Sequence, residues 1–169
     1  MRAFRAGGLI VTAALAGGCA STGAVPRPFP IRTGSAPAPA PEANRAPADS
    51  YALVGTALSL RGAPYRNGGT DPSGFDCSGF TQYVFAQYGI ALPRDVREQF
   101  REGSAVDPAE IAAGDLVFFA TTEQSASHVA IAIGGDEFVH APSSAGVVRV
   151  EHLNARYWAQ RFVGARRLN

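Results

Sequence analysis

Two cysteines and three histidines are the only thiols and imidazoles in the 169 residues: Cys19 and Cys77, His128, His140 and His152. Cys77 stands in Phe75-Asp76-Cys77-Ser78-Gly79-Phe80, where helical periodicity begins. A thiol at a helix N-terminus meets unpaired backbone N–H groups and the positive end of the macrodipole, which favour the thiolate. A nucleophilic thiol also needs a base, and His128 and His140 lie in two consecutive apolar runs, Ser127-His128-Val129-Ala130-Ile131-Ala132-Ile133 and Phe138-Val139-His140-Ala141. In that pairing His128 takes the proton of Cys77 and forms a thiolate–imidazolium pair, while His140 accepts from the other ring nitrogen and fixes its tautomer. The backbone N–H of Cys77 and the hydroxyl of Tyr65, in Ala63-Pro64-Tyr65-Arg66, supply donors for an oxyanion. Arg94 is a candidate ligand for a substrate carboxylate and equally a candidate for a surface ion pair. His152 follows a strand pattern and reads as a surface residue. Cys77, His128 and His140 would also be three zinc ligands, but the close ligand pairs usual in zinc sites are missing, and no metal or cofactor is expected.

Parity decides whether the two histidines meet. With period two, Val129, Ile131 and Ile133 share one face of the first strand, and His128, Ala130 and Ala132 share the other. The alanine face leaves room for the helix that begins at Cys77. Gly134, Gly135 and Asp136 separate the strands. A two-residue Gly135-Asp136 turn places His140 opposite Ile131, on the wrong face, and would break the relay. A three-residue loop places His140 opposite Ala130, diagonal to His128, and this is the expected arrangement.

The elements that must hold these residues follow from the pattern. A helix capped by Asp49 or Ser50 is expected to reach about Leu60, with Tyr51, Val54 and Leu58 inward and Gly62 as its stop. Residues 62–75 are a Gly-, Pro- and Asn-rich loop. A second helix runs from Cys77 to about Tyr88, capped by Asp76, with Phe80, Tyr83, Val84 and Tyr88 buried. Five strands are then expected: Asp115–Ala120, His128–Ile133, Glu137–Ala141, Val147–Glu151 and Arg161–Arg167. Helices followed by a meandering antiparallel sheet of about five strands make an α+β domain over residues 48–169.

The N-terminal region reads differently. Residues 1–18 have a basic start at Arg2 and Arg5, a short apolar run and small residues before Cys19, the pattern of an export signal. The apolar run is too short to span a bilayer. Two readings stand, cleavage after Ala16 or a lipoprotein signal in which Cys19 is acylated. Residues 19–47 hold seven of the twelve prolines and almost no large apolar groups, which suits an extended tether reaching on the order of 80 Å. A net charge of +1 gives no reason to expect nucleic acid as a partner. Nothing sets an oligomeric state, and a monomer is the working expectation.

Gly62-Ala63-Pro64-Tyr65-Arg66-Asn67-Gly68-Gly69, Asp76-Cys77-Ser78-Gly79-Phe80, Leu92-Pro93-Arg94, Gly114-Asp115-Leu116-Val117-Phe118-Phe119, Ser127-His128-Val129-Ala130-Ile131 and Phe138-Val139-His140-Ala141, in this order, resemble the signatures of the NlpC-type cell-wall cysteine peptidases. The resemblance implies a compact papain-like core with Cys77 as nucleophile, His128 as base and His140 as orienting group. It places Tyr65, Ser78 and Arg94 among the oxyanion or substrate-positioning residues. Asp95-Val96-Arg97 stands where relatives carry small hydroxyl residues. Within the family the chain looks most like tethered Gram-negative lipoproteins. That implies a lipid anchor on Cys19, an outer-membrane location facing the periplasm, and peptidoglycan peptides as substrate. The D-alanyl to meso-diaminopimelate cross-link is the first choice of bond and the D-glutamyl to diaminopimelate bond the second. A wall-binding module without hydrolysis, or acyl transfer on another donor, are the alternatives of other classes.

Overall fold

A computed structural model of the chain describes residues 46–122 and 124–168. The expected signal over 1–18, Cys19 and the tether up to residue 45 lie outside the described residues. Helix α1 spans Ala46–Ser59, so it begins before Asp49, the first expected cap, and carries Asp49 and Ser50 within it. Its buried side is Leu53, Val54 and Ala57, while Tyr51, expected inward, is 73% exposed. The short strands β1 (Thr70–Asp71) and β2 (Gly74–Phe75) form a hairpin inside the glycine-rich loop. It leads into helix α2, Cys77–Ala86. As expected, Asp76 caps α2: its side chain accepts the Gly79 N–H at 2.8 Å, an interaction worth about 1 kcal/mol. The helix ends two residues before the expected Tyr88, and Gly89 takes a left-handed φ of 76° where the chain turns away. Phe80 and Val84 are buried as expected. Phe85 joins them, while Tyr83 and Tyr88 are only half-buried.

After α2 come α3 (Val96–Gln99), β3 (Ser104–Val106), a 3-10 turn at Pro108–Glu110, β4 (Leu116–Phe119), β5 (His128–Gly134), β6 (Glu137–His140), β7 (Arg149–His152), α4 (Arg156–Ala159) and β8 (Phe162–Arg167). The sheet has six strands in the order β3-β8-β4-β5-β6-β7, every neighbouring pair antiparallel. β4 to β7 are the expected meander. β8 returns to pair with β4, and the unexpected sixth strand, β3, pairs with β8. The architecture is α+β with a papain-like core. At the C-terminal end, Asp115, 2% exposed, accepts two hydrogen bonds at 2.8 Å from Arg167, which ties β8 to the start of β4.

The sheet has a core on each face. Val129 and Ile131 of β5 lie in one with Leu53 and Ala57 of α1 and Phe80 and Val84 of α2. Ala130 and Ala132 lie in the other with Phe119, Phe138 and Trp158. The alanine face therefore does not receive α2, as its small residues suggested. Large aromatic groups from β4, β6 and α4 fill that space, and α2 packs on the branched aliphatic face.

The β5–β6 hairpin corrects the expected loop and keeps its consequence. Gly134 pairs with Glu137, so the turn itself is the two-residue Gly135-Asp136, not a three-residue loop. Between Ala132 and Gly134 the register shifts at a bulge, which absorbs one residue of β5. Below it Ala132 pairs with Phe138 and Ile131 with Val139. Continuing one step sets Ala130 opposite His140, the parity that the three-residue loop was required to produce.

Candidate active site

The loop at residues 66–75 fixes the first turn of α2. Asp76 N–H donates to the Gly69 carbonyl at 3.1 Å, and the Asp76 carboxylate accepts from Gly68 N–H at 2.9 Å as well as from Gly79. The approach is so close that a Cβ on Gly79 would lie 2.0 Å from the Gly69 carbonyl oxygen. Glycine is thus required two residues after Cys77 because another stretch of backbone occupies the side-chain position. The N–H of Val129 at the start of β5, next to His128, favours the thiolate of Cys77, as do the N–H groups of Ser78 and Cys77 itself.

His128 and His140 meet. His128 Nε2 lies 2.7 Å from His140 Nδ1, with the rings nearly perpendicular at 87°. His128 is 8% exposed and His140 fully buried. Trp158 stacks on His128 at 5.5 Å between centroids and presents an edge contact to His140 at 5.0 Å. Phe138 adds a T-shaped contact to His140 at 5.0 Å. Trp158 thus forms a wall of the histidine pair.

This enclosure sets the electrostatics. Burial pushes the Cys77 thiol above its ordinary 9.0, the Val129 N–H opposes that push, and the Asp76 carboxylate adds to it. Burial takes His128 down to about 4. Burial, then the neighbouring His128, then Arg149 take His140 down to about 2. Burial therefore favours a neutral thiol and a neutral imidazole rather than the expected thiolate–imidazolium pair. Helix-end donors favour the anion, but desolvation outweighs them here.

The other expected residues divide. Tyr65 is half-buried and feels the charges of Cys77, Asp76 and Arg94, with burial the main cause of its raised pKa. It belongs to the same cluster. Arg94 forms an ion pair with Asp76, and its Nη1 donates to the Ser78 hydroxyl at 2.6 Å. The Ser78 side chain, 4% exposed, is thus turned to Arg94 and not to the surface. The ion pair, one of the two readings of Arg94, is formed with Asp76. Gln99 was missed. It is fully buried; its amide donates to the carbonyls of Pro93 at 2.8 Å and Ser78 at 3.1 Å, and it accepts from the Thr81 hydroxyl at 2.8 Å. It locks the segment carrying Arg94 to the first turn of α2. A cleft of about 270 Å³ lies between the residues after Arg94 and those before His128, lined by Asp95, Val96, Arg97, Thr122, Ala126 and Ser127. His152 is exposed at the end of β7, 3.3 Å from Asp136, outside this cluster. Among the described residues no group of three His, Cys, Asp or Glu is placed to hold a metal ion.

A thiol, a general base, a ring that orients the base, and N–H and hydroxyl donors beside the thiol can together carry out acyl transfer. Comparison with known proteins gives a concordant result. The model of the NlpC/P60 family matches residues 62–167. The chain is 42% identical over 109 residues to the murein DD-endopeptidase MepS/murein LD-carboxypeptidase of Escherichia coli strain K12, a match covering 64% of this chain and 57% of that protein. It is 40% identical over 117 residues to a gamma-D-glutamyl-L-lysine dipeptidyl-peptidase of Bacillus cereus, covering 68% of this chain and 35% of that one. Among solved structures, the NlpC/p60 domain of the peptidoglycan hydrolase SagA is similar with a TM-score of 0.63 and 37% identity, covering 70% of this chain and 98% of that domain. The matches thus span 57% and 35% of the two curated relatives.

Proposed function

The chain belongs to the NlpC/P60 family, and on that premise we propose that it is a cysteine endopeptidase hydrolysing amide bonds in peptidoglycan peptides through an acyl-enzyme on Cys77. The observation that carries this reading is the 2.7 Å contact of His128 Nε2 with His140 Nδ1 at the strand that meets Cys77. That contact leaves Nδ1 of His128 as the nitrogen available to the thiol. As the sulfur attacks the carbonyl carbon, its proton passes to His128, and the new oxyanion is met by the Cys77 N–H and the Tyr65 hydroxyl. Breaking the C–N bond returns that proton to the leaving amine and leaves a thioester on Cys77. Water, deprotonated by His128, then releases the carboxylic acid and restores the thiol. A Cys77→Ser variant that retained full hydrolysis would sink this reading.

The D-alanyl to meso-diaminopimelate cross-link is the preferred bond, supported by similarity to a relative named a murein DD-endopeptidase. The D-glutamyl to diaminopimelate bond is the second reading, favoured by the relative named for a gamma-D-glutamyl-L-lysine bond. Digestion of cross-linked sacculi followed by mass spectrometry separates them. Loss of dimeric muropeptides with intact stems supports the first, and cut stems in persisting dimers support the second. The N-terminal pattern further supports acylation of Cys19 and an outer-membrane anchor facing the periplasm, with the proline-rich segment as spacer. Release of the protein into the soluble envelope fraction on Cys19→Ala is expected; unchanged membrane retention together with no incorporated fatty acid would reject the anchor.

A further inference from the structure

His140 makes one contact that the relay uses and lacks another that its burial demands. Its Nδ1 meets His128, whereas Nε2 is buried with no hydrogen-bond partner among the described residues. Such a group calls for an explanation, because buried polar atoms are almost always paired. The carboxylate of Glu151 stands close by, its Oε1 3.8 Å from that nitrogen. This is too long for a hydrogen bond but short enough for an ion or dipole interaction with a fully buried ring. The β6–β7 register explains the placement: His140 pairs with Arg149 and Phe138 with Glu151, so Glu151 is the diagonal neighbour of His140 on the same face. The carboxylate is held from two sides, with Trp158 Nε1 donating to Oε2 at 2.5 Å and Arg149 Nε lying 3.1 Å from Oε1. The indole that holds Glu151 is the same ring that stacks on His128.

We propose that Glu151 is a positioning residue that selects the tautomers of both histidines and thereby exposes a basic nitrogen to Cys77. The inference rests on the Cys77–His128–His140 reading. A carboxylate beside Nε2 of His140 favours the tautomer with its proton on that nitrogen. Nδ1 of His140 is then a lone pair and must accept from Nε2–H of His128. That leaves Nδ1 of His128 unprotonated, ready to take the thiol proton. The opposite tautomer of His140 would donate from Nδ1 to His128 Nε2 and put the His128 proton on Nδ1, where it blocks the reaction. The charged and titratable groups facing His140 are His128 from β5 and Arg149 and Glu151 from β7; Phe138 from β6 and Trp158 from α4 are neutral. Arg149 shares Oε1 and moderates the carboxylate, so Glu151 orients the ring without becoming the base.

The test uses the full chain and a double-mutant cycle between Glu151→Gln and His140→Asn, read by kcat and KM on soluble muropeptides and by the rate of Cys77 alkylation with iodoacetamide. Glu151→Gln alone is expected to lower kcat and the alkylation rate by about tenfold at unchanged KM, far less than the roughly 10⁴-fold cost of the wrong tautomer in a serine triad. An asparagine at 140 has no tautomer to choose, so Glu151→Gln in the His140→Asn background is expected to cost nothing further. Equal losses in both backgrounds, or no loss in either, overturn the proposal. If Glu151→Gln folds poorly, ¹⁵N NMR of the histidine rings in the unmodified chain decides: a proton on Nε2 of both rings supports it, and a proton on Nδ1 of His140 refutes it. Failure of the underlying relay is distinguishable, because His128→Ala would then retain hydrolysis whatever Glu151 does.

Discussion

Acidification from pH 7.5 to 5 is expected to remove a large part of the stability of the domain through its two buried histidines. An unfolded imidazole titrates near 6.5, whereas folding holds His128 at about 4 and His140 at about 2. Between those values and 6.5 the unfolded chain binds protons that the folded chain refuses, so stability falls as pH falls. At pH 5 each ring contributes a loss of roughly 2 kcal/mol relative to pH 7.5, about 4 kcal/mol for the two. Against a typical total of about 5–15 kcal/mol this is substantial. With a urea dependence of about 2 kcal/mol per molar, the midpoint of unfolding should drop by roughly 2 M. Urea titrations at pH 7.5, 6.5, 5.5 and 5, followed by Trp158 fluorescence, measure it. Comparison with His140→Gln isolates the effect: one of the two buried rings is gone, and the variant should lose only about half as much. A midpoint independent of pH over this range, or the same slope in His140→Gln, would refute the burial argument.

Initial hydrolysis rates should follow a broad bell, with an acid limb near pH 4 where His128 becomes protonated and an alkaline limb above 9, where the raised thiol loses the proton that the leaving amine needs; a single limb would contradict a shared proton. Gly79→Ala drives a Cβ against the Gly69 carbonyl and is expected to cost about 1–3 kcal/mol in thermal unfolding and to disturb Cys77; a melt within 1 °C of the parent would show that the loop yields freely. Gln99→Leu takes the amide donor from the Pro93 carbonyl and one of two partners from the Ser78 carbonyl and the Thr81 hydroxyl, which keep their own 2.9 Å bond to each other, and should cost roughly 2–3 kcal/mol by urea titration. Arg94→Met breaks the pair with Asp76, which keeps its backbone donors, so a loss of only about 1 kcal/mol is expected; a loss as large as that of Gln99→Leu would show Arg94 to be the main clamp.

Local chemistry and period were legible in the chain; what depended on distant partners was not. Asp76 as the cap of α2 follows from its type and position alone. The face shared by His128 and His140 follows from counting, although the counted loop proved to be a tighter turn with a bulge. Ala130 and Ala132 misled, because small residues only say that something fits against them. Phe119, Phe138 and Trp158, rather than α2, fill the space, and they come from three other elements. Tyr51 fits an apolar stripe by spacing, but α1 is rotated so that Leu53 and Ala57 face the sheet. β3 is three residues long and carries no alternation, so only its pairing with β8 defines it. Glu151 and Gln99 matter through the β6–β7 register and through two backbone carbonyls, neither of which a motif records.

The bulge at the end of β5 makes the outer tip of the hairpin a counter. The tip lies at the far end of strands whose other ends carry the histidines, and it touches no reacting group. Yet adding or deleting one residue there without moving the bulge would rotate His140 to the helix-packed face and bring Val139 or Ala141 against His128. Length changes in this exposed turn are therefore tolerable in twos and ruinous in ones. A position that looks free to vary is held by arithmetic.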